Sequence, residues 1–253
     1  MKMMRRHGTW FVALLAALLV FCAGCSAQQE QTEATAAPQP TGESSPPEAE
    51  SKAPQHYLTL RSYSEEEGLN TVEYYDEAGH ILSEEEYLDG ELTGKAEFRE
   101  TEACGQIDTS RIAQVEGVAE VRCVQIFYCD LNKGDTLEPQ DAFFVIGNDE
   151  NGFLVAMQFY MDRGDGFVCQ YTDTVERDAY GNPTRITRTV DQGDSLGNVV
   201  LERTYENTYE DGRIVRSDLT TKSYGSLEYA DGAFYIDRRW AGRTATSWFL
   251  YEY

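Results

Sequence analysis

Apolar and polar side chains alternate along much of the chain beyond residue 55, with the period of two that an extended strand requires. Residues 199–209 have one apolar face and one polar face, the polar face formed by Glu202, Thr204, Glu206 and Thr208. Arg203 and Asn207 are the two exceptions on the apolar face. Such alternation predicts antiparallel strands with one side buried and the other side in water.

Short groups of Gly, Asp and Asn separate runs of eight to twelve residues that are rich in Val, Ile, Thr, Tyr and Phe. Asp89-Gly90 and Asp211-Gly212 are typical of tight hairpins, because these residues tolerate positive φ. Helix is scarce: the best candidate runs from Thr109 to Val115, where Asp108 or Thr109 could cap its start. We therefore predict a mainly β domain with little helix, either an antiparallel meander, an open barrel or a sandwich of hairpins.

Three strand–turn–strand units have similar sequences, at residues 74–83, 178–186 and 209–217. The first contains the pair Tyr75-Asp76 and passes through Gly79 into the next strand, whereas the other two depart from the pair. These units resemble the YD (Rhs-type) repeat of bacterial surface proteins, although their spacing is irregular and such turns also arise independently in hairpin-rich proteins. The resemblance implies a surface β scaffold and supplies no active site.

The N-terminus has the order of an export signal. Three positive charges precede an apolar run at residues 10–21, which is shorter than the roughly 20 residues a spanning helix needs. Cys22-Ala23-Gly24-Cys25 follows, and it resembles the bacterial lipoprotein signal, in which small residues precede an acylated cysteine. Cys22 departs from the aliphatic residue usual there. The resemblance implies a signal peptide at 1–24 and palmitate-type lipidation of Cys25. Cleavage after Ala27 and a retained helix are the alternatives.

Residues 26–55 contain no aromatic and no branched aliphatic residue, and five of the seven prolines lie there. Such a segment buries too little apolar surface to offset its ordering entropy. We predict a disordered tether over residues 25–55 and a single β domain over residues 56–253. Together with the lipid anchor, this organisation places the domain on the extracytoplasmic side of the cell membrane, within the cell envelope.

The chain is strongly acidic, with a formal net charge of −23. A nucleic-acid-binding protein needs a basic face, so this class is excluded. The acidity also opposes adsorption to anionic lipid, which leaves the acyl chain as the contact with the membrane. The remaining partners to expect are an envelope protein or a wall polymer.

Four cysteines lie in the predicted domain: Cys104, Cys123, Cys129 and Cys169. Outside the cell they could form two disulfides in any of three connectivities. Their spacing matches no zinc site, and buried free thiols are the alternative.

No catalytic motif is present, and the chain has only three histidines. Two loops could hold Ca²⁺ through Asp162, Asp165, Asp191 and Asp194, but neither has the full calcium-loop spacing, and ordinary Asp/Gly turns are the favoured interpretation. The aromatic C-terminus could form an exposed binding patch or close the core, and its candidate patch residues are Trp240, Trp248 and Tyr251.

These observations predict a lipid-anchored protein with a non-catalytic β domain that binds or presents an unknown ligand. The alternative is a carboxylate-based hydrolase acting on cell-surface or extracellular glycans, because such an enzyme needs only two acids in a pocket. A structural spacer without any ligand is the third possibility.

Overall fold

The structure, a computed structural model, describes residues 56–164, 166–230, 233–239 and 241–253. The predicted signal peptide, Cys25 and the tether lie outside these residues. These described ranges contain fourteen strands: β1 (Thr59–Ser64), β2 (Gly68–Tyr75), β3 (Ile81–Leu88), β4 (Glu91–Glu100), β5 (Glu120–Asp130), β6 (Glu138–Asn148), β7 (Leu154–Asp162), β8 (Phe167–Arg177), β9 (Pro183–Asp194), β10 (Gly197–Glu210), β11 (Arg213–Ser223), β12 (Ser226–Ala230), β13 (Ala233–Asp237) and β14 (Thr244–Glu252).

Twelve of these strands form one antiparallel barrel. Strands β1 to β10 each pair with the next strand along the chain, and β14 closes the barrel by pairing with both β11 and β1. The closing register joins Leu60 to Tyr251 and Ser62 to Phe249. The prediction of a mainly β, antiparallel domain with little helix is confirmed, and the barrel is closed rather than open.

The helix predicted at 109–115 is shorter than expected. It is α1 (Ser110–Ala113), a single turn preceded by a 3-10 turn at Glu102–Gln106. The Asp108 carboxylate accepts a hydrogen bond from the amide of Ser110, and the side chain of Thr109 makes no capping bond. None of the described residues forms an apolar helix long enough to cross a membrane.

The hairpin β12–β13 covers one end of the barrel, which we call the lower end. It lies between the end of β11 and the start of β14, and Leu227 and Ile236 pack against the interior core. The rings of Phe144, Phe159 and Tyr171 form the centre of that core, with centroids 5.2 and 5.4 Å apart. The lower half of the barrel is therefore filled by side chains.

Strand β6 is apolar on both faces because its outer face is also covered by another part of the chain. Phe144 points inward, whereas Phe143 and Val145 point outward and pack against Ile112 of α1. The segment between β4 and β5 covers this outer patch. A disulfide between Cys104 and Cys123 ties the segment to β5.

Candidate functional site

Three turns at the upper end of the barrel, opposite the β12–β13 hairpin, share one structure. They occupy residues 76–80, 149–153 and 178–182. In each, Oδ1 of the first residue accepts hydrogen bonds from the amides two and four positions later, at 2.8–3.1 Å. These first residues are Asp76, Asp149 and Asp178. An aspartate at this position holds the turn because its carboxylate satisfies amides that the hairpin leaves unpaired.

Of the three similar strand–turn–strand units in the sequence, those at 74–83 and 178–186 therefore share this turn, and the unit at 209–217 does not. Residues 209–217 contain a two-residue turn with Asp211 and Gly212 at φ of 49° and 77°. The additional member is the turn at 149–153, whose sequence DENGF follows the same order of Asp, two residues and Gly.

The tips of these turns pack against one another. Gly79 lies under the ring of His56, Gly152 lies against the carbonyl of Ala78, and Gly181 lies under the ring of Phe153. His56 also contacts the Asn151 carbonyl at 2.7 Å. A side chain at any of the three glycines would collide with its neighbour, and their positive φ values of 82–89° favour glycine as well. The turns thus form a packed rim.

A cavity of about 150 Å³ lies beneath this rim, inside the upper half of the barrel. Most of its wall is apolar and comes from facing strands, including Leu60, Ile81, Met157, Ile186 and Phe249. An engineered apolar cavity of this volume accommodates a benzene ring. The cavity can therefore hold a small molecule.

Tyrosine hydroxyls line one side of the cavity. Tyr57 packs edge-on against Tyr75 and Tyr251, with ring centroids 5.1 and 4.7 Å apart. The Tyr251 hydroxyl also lies 2.9 Å from Oγ of Ser217. Burial raises the pKa of each of these three tyrosines above its usual value, so the hydroxyls are neutral hydrogen-bonding groups at physiological pH.

Two ionisable side chains lie deep in the same cavity. Glu73 and Arg203 are 3% and 2% exposed. The hydroxyl of Tyr75 donates a hydrogen bond to Glu73. Burial raises the pKa of Glu73, against the opposing effects of that hydrogen bond and of the Arg203 charge. Nε and Nη2 of Arg203 have no hydrogen-bond partner among the described residues.

A second buried arginine on the neighbouring strand is fully engaged. Nε and Nη2 of Arg188 donate to the two carboxylate oxygens of Asp173 at 2.7 and 2.6 Å. Its guanidinium carbon also lies 3.5 Å from the centroid of the Tyr171 ring. The same edge of the guanidinium is thus bound to a carboxylate in Arg188 and is buried without a partner in Arg203.

Three of the four acids proposed as calcium ligands are among the described residues, and each has a hydrogen-bond partner within the chain. Asp191 is bound by Arg111 at 2.6 and 2.9 Å, and Asp194 by Arg238 at 2.8 and 3.0 Å. Asp162 caps the amide of Gly164 at 2.8 Å, and Asp165 lies outside the described residues. Within the described ranges, no group of three His, Cys, Asp or Glu side chains could hold a metal ion. In the structure, Asp191 and Asp194 are thus each paired with an arginine, and calcium binding there stays a prediction.

The proposed aromatic patch does not form a common surface. Trp248 lies outside the barrel, stacked on Tyr63 at 5.7 Å, whereas Tyr251 lines the cavity. The two positions are three residues apart on β14, and an odd separation places side chains on opposite faces of a strand. Trp240 lies outside the described residues.

Of the four candidate disulfide cysteines, Cys104 and Cys123 are bonded, whereas Cys129 and Cys169 are free thiols. Burial raises the pKa of Cys169 to about 11, so its thiol is protonated at physiological pH.

Sequence reasoning did not select Glu73 or Arg203 as site residues. The available signal was Arg203 itself, a charged residue on the apolar face of the 199–209 strand.

No protein-family model matches the chain, and no curated protein sequence matches it. Among solved structures, it is similar to a porin-like protein from Bacteroides uniformis, at 13% identity over 78% of this chain and 97% of that chain. The TM-score of 0.31 is too low for this similarity to imply anything about the present chain.

Proposed function

We propose that this chain is a lipid-anchored extracytoplasmic protein whose barrel binds a small ligand in the upper cavity without chemical conversion. The cavity of about 150 Å³ carries the proposal. Close packing normally fills the interior of a domain, so a cavity lined by apolar walls and convergent polar groups is typical of a ligand site.

The anchoring part of the proposal rests on the N-terminal sequence. A positive start, a short apolar run and Ala23-Gly24-Cys25 are arranged as in bacterial lipoproteins, and the residues that follow suit a flexible spacer. The first described residue, His56, lies at the upper rim. A tether ending at residue 55 would therefore join the barrel beside the cavity.

The alternative, a glycan hydrolase, gains no support from the cavity. Such an enzyme needs two carboxyl groups across a bound sugar, about 5–10 Å apart. Among the described residues that line the cavity, Glu73 is the one acid.

Methionine methyl NMR tests ligand binding directly. The only methionines beyond the predicted leader are Met157 and Met161, both on β7. Met157 lines the cavity, and Met161 packs against the filled core. Titration with a neutral aromatic fragment such as benzyl alcohol is expected to shift the Met157 methyl signal in a saturable way and to leave the Met161 signal in place. No response at Met157 across a set of neutral aromatic and branched aliphatic fragments would contradict the proposal.

The anchor is tested separately by metabolic labelling with a fatty acid. We expect the label on the wild-type chain and on the control variant Cys22→Ala, and its loss from Cys25→Ala. A Cys25→Ala chain that remains labelled would overturn the anchor assignment without affecting the cavity.

A further inference from the structure

Arg203 is the least satisfied charged group in the cavity. Its guanidinium cannot be deprotonated at physiological pH and is hydrogen-bonded to Tyr205, but its Nε and Nη2 are buried without an acceptor, which is costly. Glu73 does not balance it fully, because the carboxyl is buried and hydrogen-bonded to Tyr75 instead. Arg122 also lines the cavity, and its charge is engaged by Glu100 at 2.8 Å. The cavity therefore presents positive charge inside an acidic protein.

The unpaired Nε–Nη2 edge of Arg203 has a specific chemical complement. Nε and Nη2 carry parallel N–H groups whose spacing matches the two oxygens of a carboxylate. Arg188 binds Asp173 through these same two nitrogens one strand away. The barrel thus already contains the contact that a ligand carboxylate would make with Arg203.

The rest of the wall sets the size of the ligand. A volume of about 150 Å³ accommodates one aromatic ring or a short branched chain, and Met157, Ile186 and Phe249 supply an apolar surface for it. A single guanidinium suits a monoanion better than a phosphate dianion, which needs more donors. An amine would be repelled by Arg203.

From this geometry we propose that the cavity takes small carboxylates that carry one aromatic ring or a short branched alkyl group, with the carboxylate on Arg203 and the apolar group against the wall containing Met157. This inference rests on the proposed function, because it names the ligand class of the same cavity.

Three compounds with one skeleton and different charge test the inference: 3-phenylpropionate, 3-phenylpropanamide and 3-phenylpropylamine. Each is titrated into the purified full chain while the Met157 and Met161 methyl signals are followed. The carboxylate is expected to bind about tenfold more tightly than the amide, because a charge-assisted bidentate contact is worth at least that factor. The amine is expected to bind most weakly.

Substitution then assigns the preference to one residue. Arg203→Met is expected to reduce binding of the carboxylate to the level of the amide and to leave binding of the amide within about twofold. The matched control is Arg185→Met, since Arg185 lies on the outer face and pairs with Glu202. Should Arg203→Met fail to fold, Arg203→Lys keeps the charge and is expected to retain a reduced carboxylate preference.

The outcomes separate the two proposals. If the amide shifts Met157 but the carboxylate has no advantage, or if the amine binds most tightly, the ligand class is wrong while the binding function stands. If Arg203→Met still prefers the carboxylate over the amide as the wild type does, the proposed ligand class is likewise wrong while the binding function stands. If neither these compounds nor the neutral fragments shift Met157, the proposed function itself fails.

Discussion

Arg188 and Arg203 lie inside the barrel on adjacent strands, and only Arg188 has a carboxylate bound to the Nε–Nη2 edge of its guanidinium. The residue opposite Arg188 on β8 is Asp173, whereas the residues opposite Arg203 are Ile186 on β9 and Thr221 on β11. Two arginines buried to a similar extent therefore differ in whether the Nε–Nη2 edge has a hydrogen-bond acceptor. Arg188 forms a buried ion pair, and Arg203 has two buried N–H groups without an acceptor.

This difference predicts opposite effects on stability. Arg203→Met removes a buried cation that has two unpaired nitrogens, so the free energy of unfolding without ligand should rise by about 1–3 kcal/mol. Arg188→Met leaves Asp173 buried without its partner and should lower the free energy of unfolding by about 3–5 kcal/mol. Urea denaturation of both variants and the wild type measures the two changes. A loss of stability in Arg203→Met similar to that in Arg188→Met would show that Arg203 is equally satisfied.

Ligand binding should weaken as pH rises. Glu73 is faced by Arg203 and Tyr205 of β10, Glu84 of β3, Tyr75 of β2, Tyr57 and Tyr251. Because burial raises the pKa of Glu73, its neutral form persists above the usual range, and ionisation would repel a bound carboxylate. Affinity for 3-phenylpropionate is therefore expected to fall as pH rises through the pKa of Glu73.

The variant Glu73→Gln should flatten that pH profile and bind the carboxylate at least as tightly as the wild type at pH 7. Titrations between pH 5 and pH 8 test this, with the amide as the uncharged reference at each pH. A steep profile that survives in Glu73→Gln would assign the pH dependence to another group.

Glu84 should make the protein less stable as pH rises. Burial raises the pKa of Glu84 well above 4.5, helped by the charges of Glu73 and Glu86. The folded state then holds a proton that the unfolded state releases near pH 4.5, so the free energy of unfolding falls as pH rises from there to the folded pKa. The slope for one proton is at most about 1.4 kcal/mol per pH unit.

In Glu84→Gln this contribution is absent, and we expect a higher free energy of unfolding at pH 7 and a shallower decline between pH 5 and pH 7. Glu66→Gln, at an exposed position, is the control for the loss of one negative charge from an acidic protein. Equal slopes in wild type and Glu84→Gln would refute the prediction.

The packed rim should depend on glycine for two separable reasons. Gly152 and Gly212 both have positive φ, but a Cβ at Gly152 would meet the Ala78 carbonyl and one at Gly212 would meet no atom within 4 Å of the described chain. Gly212→Ala should therefore cost only the conformational term of about 1–2 kcal/mol. Gly152→Ala should cost more and also shift the Met157 methyl signal, because the rim must move. Similar losses of stability in both variants would show that rim packing is unimportant.

Removing the disulfide should lower stability while leaving the cavity unchanged. Cys104 and Cys123 are separated by 19 residues, and closure of a loop of that size contributes about 3 kcal/mol. The double variant Cys104→Ser/Cys123→Ser should be less stable by a similar amount. Its affinity for 3-phenylpropionate, followed by the Met157 methyl signal, should be unchanged, because the segment between β4 and β5 packs on the outer face of β5 and β6. Loss of ligand binding in a folded double variant would contradict this separation.

The local pattern of the sequence was sufficient to predict the strands and most of the turns. Alternating side chains in 199–209 are those of β10, and Asp-Gly pairs fall at the tight hairpins because few other residues adopt positive φ. The pattern left a meander, an open barrel and a sandwich equally possible. Closure depends on the pairing of β1 with β14, which joins residues about 190 positions apart and has no local signal.

The sequence by itself determined the β character, the strong acidity, and the anomalous position of Arg203 on an apolar face. Only the tertiary structure decided that Asp173 neutralises Arg188 while no described residue occupies the same edge of Arg203. The physical reason is that a buried charge is balanced across strands, through register and barrel closure. Alternation along one strand fixes which way a side chain points but not what it meets.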